Sequence, residues 1–114
     1  MTETSHDKLL PLTPATFHIL LSLAEGVKHG YAVKREVETR TQGIVRLGAG
    51  TLYEAIQRLD RQGLIAEAEP PRDASQPNSR WRFYETTKRG REVLKAELER
   101  LEADVKYARA RALV

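Results

Sequence analysis

A mainly α-helical fold with one small β-hairpin is predicted by three features of this sequence. Apolar residues recur at helical spacing in four stretches, which begin near Pro14, Gly30, Gly50 and Lys88. Two short runs, LIAEAE at 64–69 and RWRFYE at 80–85, alternate instead, and the three prolines and turn formers of PPRDASQPNS between them exclude regular structure. The last helical stretch keeps its apolar spacing for nearly three heptads, longer than one core in a chain of 114 residues requires.

Each element carries its own punctuation. The first eight residues, MTETSHDK, are polar and are expected to form a flexible N-terminus ahead of one domain over 9–86. Thr13 suits an N-cap and Pro14 the first helical position, so the first helix starts there. Phe17, Leu20, Leu21 and Ala24, widened by Ile19 and Leu23, give it a broad apolar stripe that ends at Gly26. The second helix runs from His29-Gly30 through YAVKREVETR to a stop at Gly43, and its few apolar residues leave it half exposed. IVRLGAG is β-branched and short, enough for a few residues of edge strand.

The third helix fills 50–62, burying Leu52, Ala55, Ile56 and Leu59, with Gly63 as the left-handed residue just past its end. The alternating runs then pair as a hairpin with a long basic loop. In its second strand Trp81 and Phe83 share one face and Arg80, Arg82 and Tyr84 the other, with Trp81 packed against the third helix. Thr86-Thr87 can cap a final helix over 88–112, in which Leu94, Leu98, Leu101, Val105, Ala108 and Ala112 form an a/d seam. Such a helix spans roughly 36 Å. Residues 87–114 are therefore read as a dimerisation helix, its far part covered by a second copy of the chain.

Composition narrows the function. The chain has no cysteine, which excludes disulfides, thiolate metal sites and a cysteine nucleophile. His6, His18 and His29 are scattered without spaced carboxylate partners, so no metal site and no cofactor is expected. No run approaches the roughly 18 apolar residues of a membrane helix and the start lacks a signal-peptide pattern, so a cytoplasmic protein with no membrane partner is expected. The net charge is +3 and unevenly placed. Residues 1–27 carry a net −2, residues 28–46 a net +3 and residues 71–91 a net +4, while the last 23 balance. Two basic clusters on one face would suit phosphates.

Helix, helix, short strand, helix, hairpin with a basic loop and long helix is the order of a winged helix-turn-helix. There the third helix enters the major groove, the second braces it near the backbone, and the hairpin loop reaches an adjacent groove. Three segments then carry a family resemblance: HGYAVKREVE at 29–38, GAGTLYEAIQRLDRQGLI at 48–65 and RWRFYETTKRGREVL at 80–94. In order and spacing over residues 9–94 the chain resembles the PadR family of bacterial transcriptional regulators, and its last helix is similar to that of shorter members. The resemblance implies a homodimer, usually a repressor, that binds double-stranded DNA at an inverted-repeat operator and is released by a small molecule or stress signal. It implies no catalytic residue. The sequence departs from the family pattern at Glu54, which follows the tyrosine of TLY where proline is common.

The candidate DNA-contacting residues follow from this arrangement. On the third helix they are Gly50, Thr51, Tyr53, Glu54, Gln57 and Arg58, with Arg61 placed too late in the helix to be favoured. Gly50 and Thr51 offer an amide and a hydroxyl to phosphate, while Gln57 and Arg58 have the groups that read adenine and guanine. Glu54 either favours the helix dipole or accepts from cytosine N4. Tyr31, Lys34 and Arg35 on the second helix and Arg72, Arg80 and Arg82 in the wing are candidates for phosphate. Leu9, Leu10, Phe17, Leu94, Leu98, Leu101, Val105 and Ala108 are the expected dimer interface, where a small-molecule effector could also sit. The rival reading is a winged-helix protein–protein adaptor without specific DNA binding; no constellation of an enzyme is visible.

Overall fold

A computed structural model describes residues 8–72 and 81–114. The expected N-terminal arm up to residue 7 and most of the wing loop, including Arg80, lie outside the described residues. Helix α1 spans Pro14–Leu23, with the Thr13 hydroxyl accepting from the Thr16 N–H at 3.2 Å and proline in the first turn. Strand β1 is only Lys28–His29 and leads straight into α2, Gly30–Arg40. Helix α3 spans Ala49–Arg61, followed by β2 at Ile65–Ala68, β3 at Phe83–Thr86 and α4 at Lys88–Ala110. Gly63 takes the left-handed conformation expected past α3, at φ +76°.

The edge strand expected in IVRLGAG does not form; the third strand of the sheet is β1 instead. Its residues pair antiparallel with β3, Lys28 opposite Tyr84 and His29 opposite Phe83, and β2 pairs on the other side of β3. The reason lies in local hydrogen bonding. The Thr41 hydroxyl accepts from the Val45 N–H and donates to the Val37 carbonyl, while the Ile44 N–H reaches the Thr41 carbonyl. That knot turns the chain and drops Leu47 into the core, leaving Ile44 in solvent. Backbone groups needed for a strand are already spent on the turn.

The core gathers Ile19, Leu20 and Leu23 of α1, Val33 and Val37 of α2, the apolar stripe of α3, Leu64 just before β2, and Ile65 and Tyr84 of the sheet. Helix α4 enters it through Val93 and Leu94. Gly90 makes this approach possible, because a Cβ there would overlap the Leu64 carbonyl oxygen and crowd Thr86 Cγ2. Among the described residues no helix is long and apolar enough to cross a membrane.

Candidate nucleic-acid interface

Helix α3 is the most strongly amphipathic element. Leu52, Ala55, Ile56 and Leu59 are buried against the core, and Thr51, Tyr53, Glu54, Gln57, Arg58 and Arg61 are all exposed along the opposite face. Its N-cap is Gly48, extended at ψ 159°, and no side chain caps the helix. Exposed Gly50 and Thr51 therefore stand in a first turn whose leading amides point outward, an arrangement suited to a phosphate oxygen. The exposed positions are the ones the sequence spacing selects.

Between the first turns of α2 and α3 and the stem of the hairpin lies a cleft of about 310 Å³. Tyr31 and Tyr53, each 56% exposed, flank it together with Trp81 at 41%. Lys34 and Arg82 supply its cations, and among the described residues no carboxylate lines it. Tyr84 forms its inner wall; burial first and then the Glu67 carboxylate hold that phenol protonated beyond its usual range. The structure thus brings Tyr31, Lys34, Tyr53 and Arg82 to one opening. Arg35 lies outside it, with its guanidinium 5.8 Å from the Tyr31 ring centroid. Arg72 is exposed in the turn after β2.

Trp81, expected in the wing sheet against α3, stands just before β3 and borders the cleft with Leu52, Tyr53 and Ile56 of α3. Its ring stacks on His29, with centroids 4.1 Å apart and planes 18° from parallel. The other edge of His29 meets Phe83 at 5.3 Å in a T-shaped contact, and this covers Phe83 on the face of β3 opposite the core. The same imidazole caps α2, its Nδ1 accepting from the Ala32 N–H at 3.2 Å. Burial, and then the Arg35 charge, hold its pKa below the ordinary histidine value. Sequence reading assigned His29 no role, since a histidine before a glycine is not a common N-cap residue and its stacking partner lies 52 positions away.

The basic cluster over 28–46 is smaller than its count suggests. Lys28 turns inward, where its Nζ donates to Glu25 and Glu36 at 2.6 Å each and to the Ser22 carbonyl at 2.8 Å. Burial would raise the pKa of Glu36, but the hydrogen bonds from Lys28 and Ser22 and the Lys28 charge outweigh it and hold the carboxylate below its usual range. Lys34 pairs with Glu38 at 3.0 Å, a surface pair one turn apart. Arg40 faces the ring and carbonyl of His18, whose own pKa is lowered by burial and by that arginine. Among the described residues, Arg35, Arg40 and Arg46 of this cluster make no ion pair with a carboxylate, so three of its five cations are left for a partner.

The expected dimer residues divide into two groups. Leu9, Leu10 and Phe17 sit half-buried against the core of their own protomer, and Leu94 is inside it. Leu98, Leu101 and Val105 are 41%, 37% and 47% exposed, and Ala108 continues their line with partial burial. Leu98, Leu101 and Val105 border a groove of about 670 Å³ between α4 and Ala24, rimmed by Arg91, Lys95, Glu99 and Glu102.

Comparison with known proteins agrees with this architecture. A family model described as the transcriptional regulator PadR-like family matches residues 19–96. An uncharacterized 37.1 kDa protein in transposon Tn4556 of Streptomyces fradiae is 37% identical over 79 residues, which cover 69% of this chain; the chain spans 20% of that relative's length. A transcriptional regulator from Clostridium thermocellum superimposes with a TM-score of 0.68 at 24% identity, covering 96% of this chain and 97% of that one. Bacillus subtilis PadR, solved in complex with operator DNA, has a TM-score of 0.60 at 18% identity over 73% of this chain and 45% of its own.

Proposed function

The chain belongs to the PadR-like family of transcriptional regulators, and from that premise we propose that it is a homodimeric, sequence-specific DNA-binding regulator. The observation that carries the reading is the exposed face of α3, whose uncapped first turn and polar side chains share one side of the molecule with the Tyr31–Arg82 cleft. Helix α3 enters the major groove, with Gly50 and Thr51 on phosphate, Tyr53 against the backbone, and Gln57 and Arg58 at base edges. Glu54 stands in the first turn, where a carboxylate is favoured by the helix dipole. Tyr31, Lys34, Arg35, Arg72, Arg80 and Arg82 hold the flanking phosphates. The domain over 9–86 docks on DNA, and the helix over 87–114 pairs with its copy through Leu98, Leu101, Val105 and Ala108. Bound at an inverted repeat, the dimer represses by occupying the site; an apolar effector held in the groove beside α4 alters the spacing of the two α3 helices and releases it.

Selection from random duplexes, followed by titration of the best site at several salt concentrations, tests this reading. The expected outcome is an inverted repeat, bound with log–log salt slope of about −0.9 per phosphate contacted, and a slope shallower by roughly one unit for Arg82→Ala. Absence of any enriched sequence would instead favour an adaptor of protein partners.

A further inference from the structure

His29 performs two tasks with one ring. Its Nδ1 accepts from the Ala32 N–H, fixing the start of α2, and its face carries Trp81 at the foot of the wing. Its backbone pairs with β3 opposite Phe83, and the preceding Lys28 is pinned by Glu25, Glu36 and Ser22. The short strand is thus anchored on one side to α1 and α2, while the imidazole reaches across to the wing. The residues that this ring spaces apart are Tyr31 and Lys34 on α2 and Arg82 beside Trp81, which face one cleft.

We propose that His29 is a positioning residue that ties the wing to the start of α2, and that its neutral imidazole is required for the wing and α2 to engage DNA together. The proposal rests on the DNA-binding reading above. A protonated Nδ1 cannot accept the Ala32 N–H, so protonation uncaps α2. Among the described residues, the charge that acts on the ring is the Arg35 guanidinium on α2, which opposes the imidazolium. Lys34 on α2 is paired with Glu38, Lys28 on its own strand is bound to two carboxylates, Arg82 before β3 lines the same cleft as a cation, and the titratable groups that α3 and β3 add there are the phenols of Tyr53 and Tyr84. The positive end of the α2 dipole acts in the same sense. The indole of Trp81 attracts an imidazolium, but it is one favourable contact against the lost cap and the Arg35 charge.

Two readouts test the proposal. Trp81 is the only tryptophan in the chain, so its emission in the DNA-free protein reports the His29 stack directly. Acidification from about pH 7.5 to about pH 5 should give an emission transition with a midpoint below the ordinary histidine value of about 6.5. His29→Asn keeps an N-cap acceptor but has no ring and no titration, and it should lose that transition while remaining folded. DNA affinity supplies the second readout. Added protons ordinarily strengthen phosphate binding; the wild type should instead weaken roughly three- to tenfold from about pH 7.5 to about pH 5.5, and His29→Asn should not weaken. A flat Trp81 emission, the same transition in His29→Asn, or wild-type binding that tightens in acid would overturn the role of His29. Failure to bind any duplex at neutral pH would overturn the DNA-binding reading, and the emission of the free protein would still decide whether His29 holds the wing.

Discussion

The two halves of α4 follow one heptad pattern and meet opposite surroundings. In the first half Gly90, Val93, Leu94 and Glu97 are buried against the sheet and α1. In the second half Leu98, Leu101 and Val105 continue the apolar line into solvent. At the boundary stands Glu97, 2% exposed, whose carboxylate accepts from the Leu12 N–H at 2.9 Å and from Arg100 at 2.6 Å. The periodicity of a sequence identifies which face of a helix is apolar. It does not say whether the same chain or another covers that face; here the first half answers one way and, in the proposed dimer, the second answers the other.

Substitutions along this helix can sharpen or break the contrast. The largest loss belongs to Gly90→Val, which forces a branched side chain against the Leu64 carbonyl and Thr86; urea unfolding should show a loss of about 3 kcal/mol. Glu97→Ala should cost about 2 kcal/mol by the same measurement, since it strands the Leu12 amide and frees Arg100. The hydrogen bonds from Arg100 lead the effects that hold the Glu97 pKa below its ordinary value of 4.5, and they outweigh its burial. A depressed folded pKa means that this stabilisation is complete above the unfolded value and fades as pH falls through the folded one. Glu97→Gln should therefore flatten part of the acid limb of the stability–pH curve.

The second half should respond differently. Leu98→Lys combined with Leu101→Lys should leave urea stability of the isolated protomer within about 0.5 kcal/mol, yet convert the dimer to monomers on sizing columns. A large stability loss with unchanged mass would place these leucines in the protomer's own fold. Smallest of all is Thr86→Val beneath Gly90. The Thr86 hydroxyl is buried without a hydrogen-bond partner among the described residues, so its replacement by a methyl of equal shape should be neutral or stabilise by up to about 1 kcal/mol in thermal unfolding.

Much of this could be read in the sequence because the relevant signals are local. Thr13-Pro14, Gly63 and Thr87 mark element ends through short-range hydrogen bonding or backbone freedom, and the α3 stripe follows from spacing alone. The missed features depend on distant partners. β-branched residues over 44–50 argued for a strand, but the Thr41 side chain closed a turn there and left Lys28–His29 to pair with β3. Lys28 counted as surface charge until Glu25 and Glu36 enclosed it. His29 and Trp81 have no sequence pattern joining them, and their stack decides how the cleft is built. The candidate face of α3 was thus legible residue by residue, and the support that aims it was not.

Sedimentation equilibrium of the protein with its selected duplex tests the proposed dimeric regulator most directly. Two copies per duplex are expected, falling to one weakly held copy when Leu98 and Leu101 are both changed to lysine. One tightly bound wild-type copy per duplex, with the double variant binding equally well, would contradict recognition by paired α3 helices.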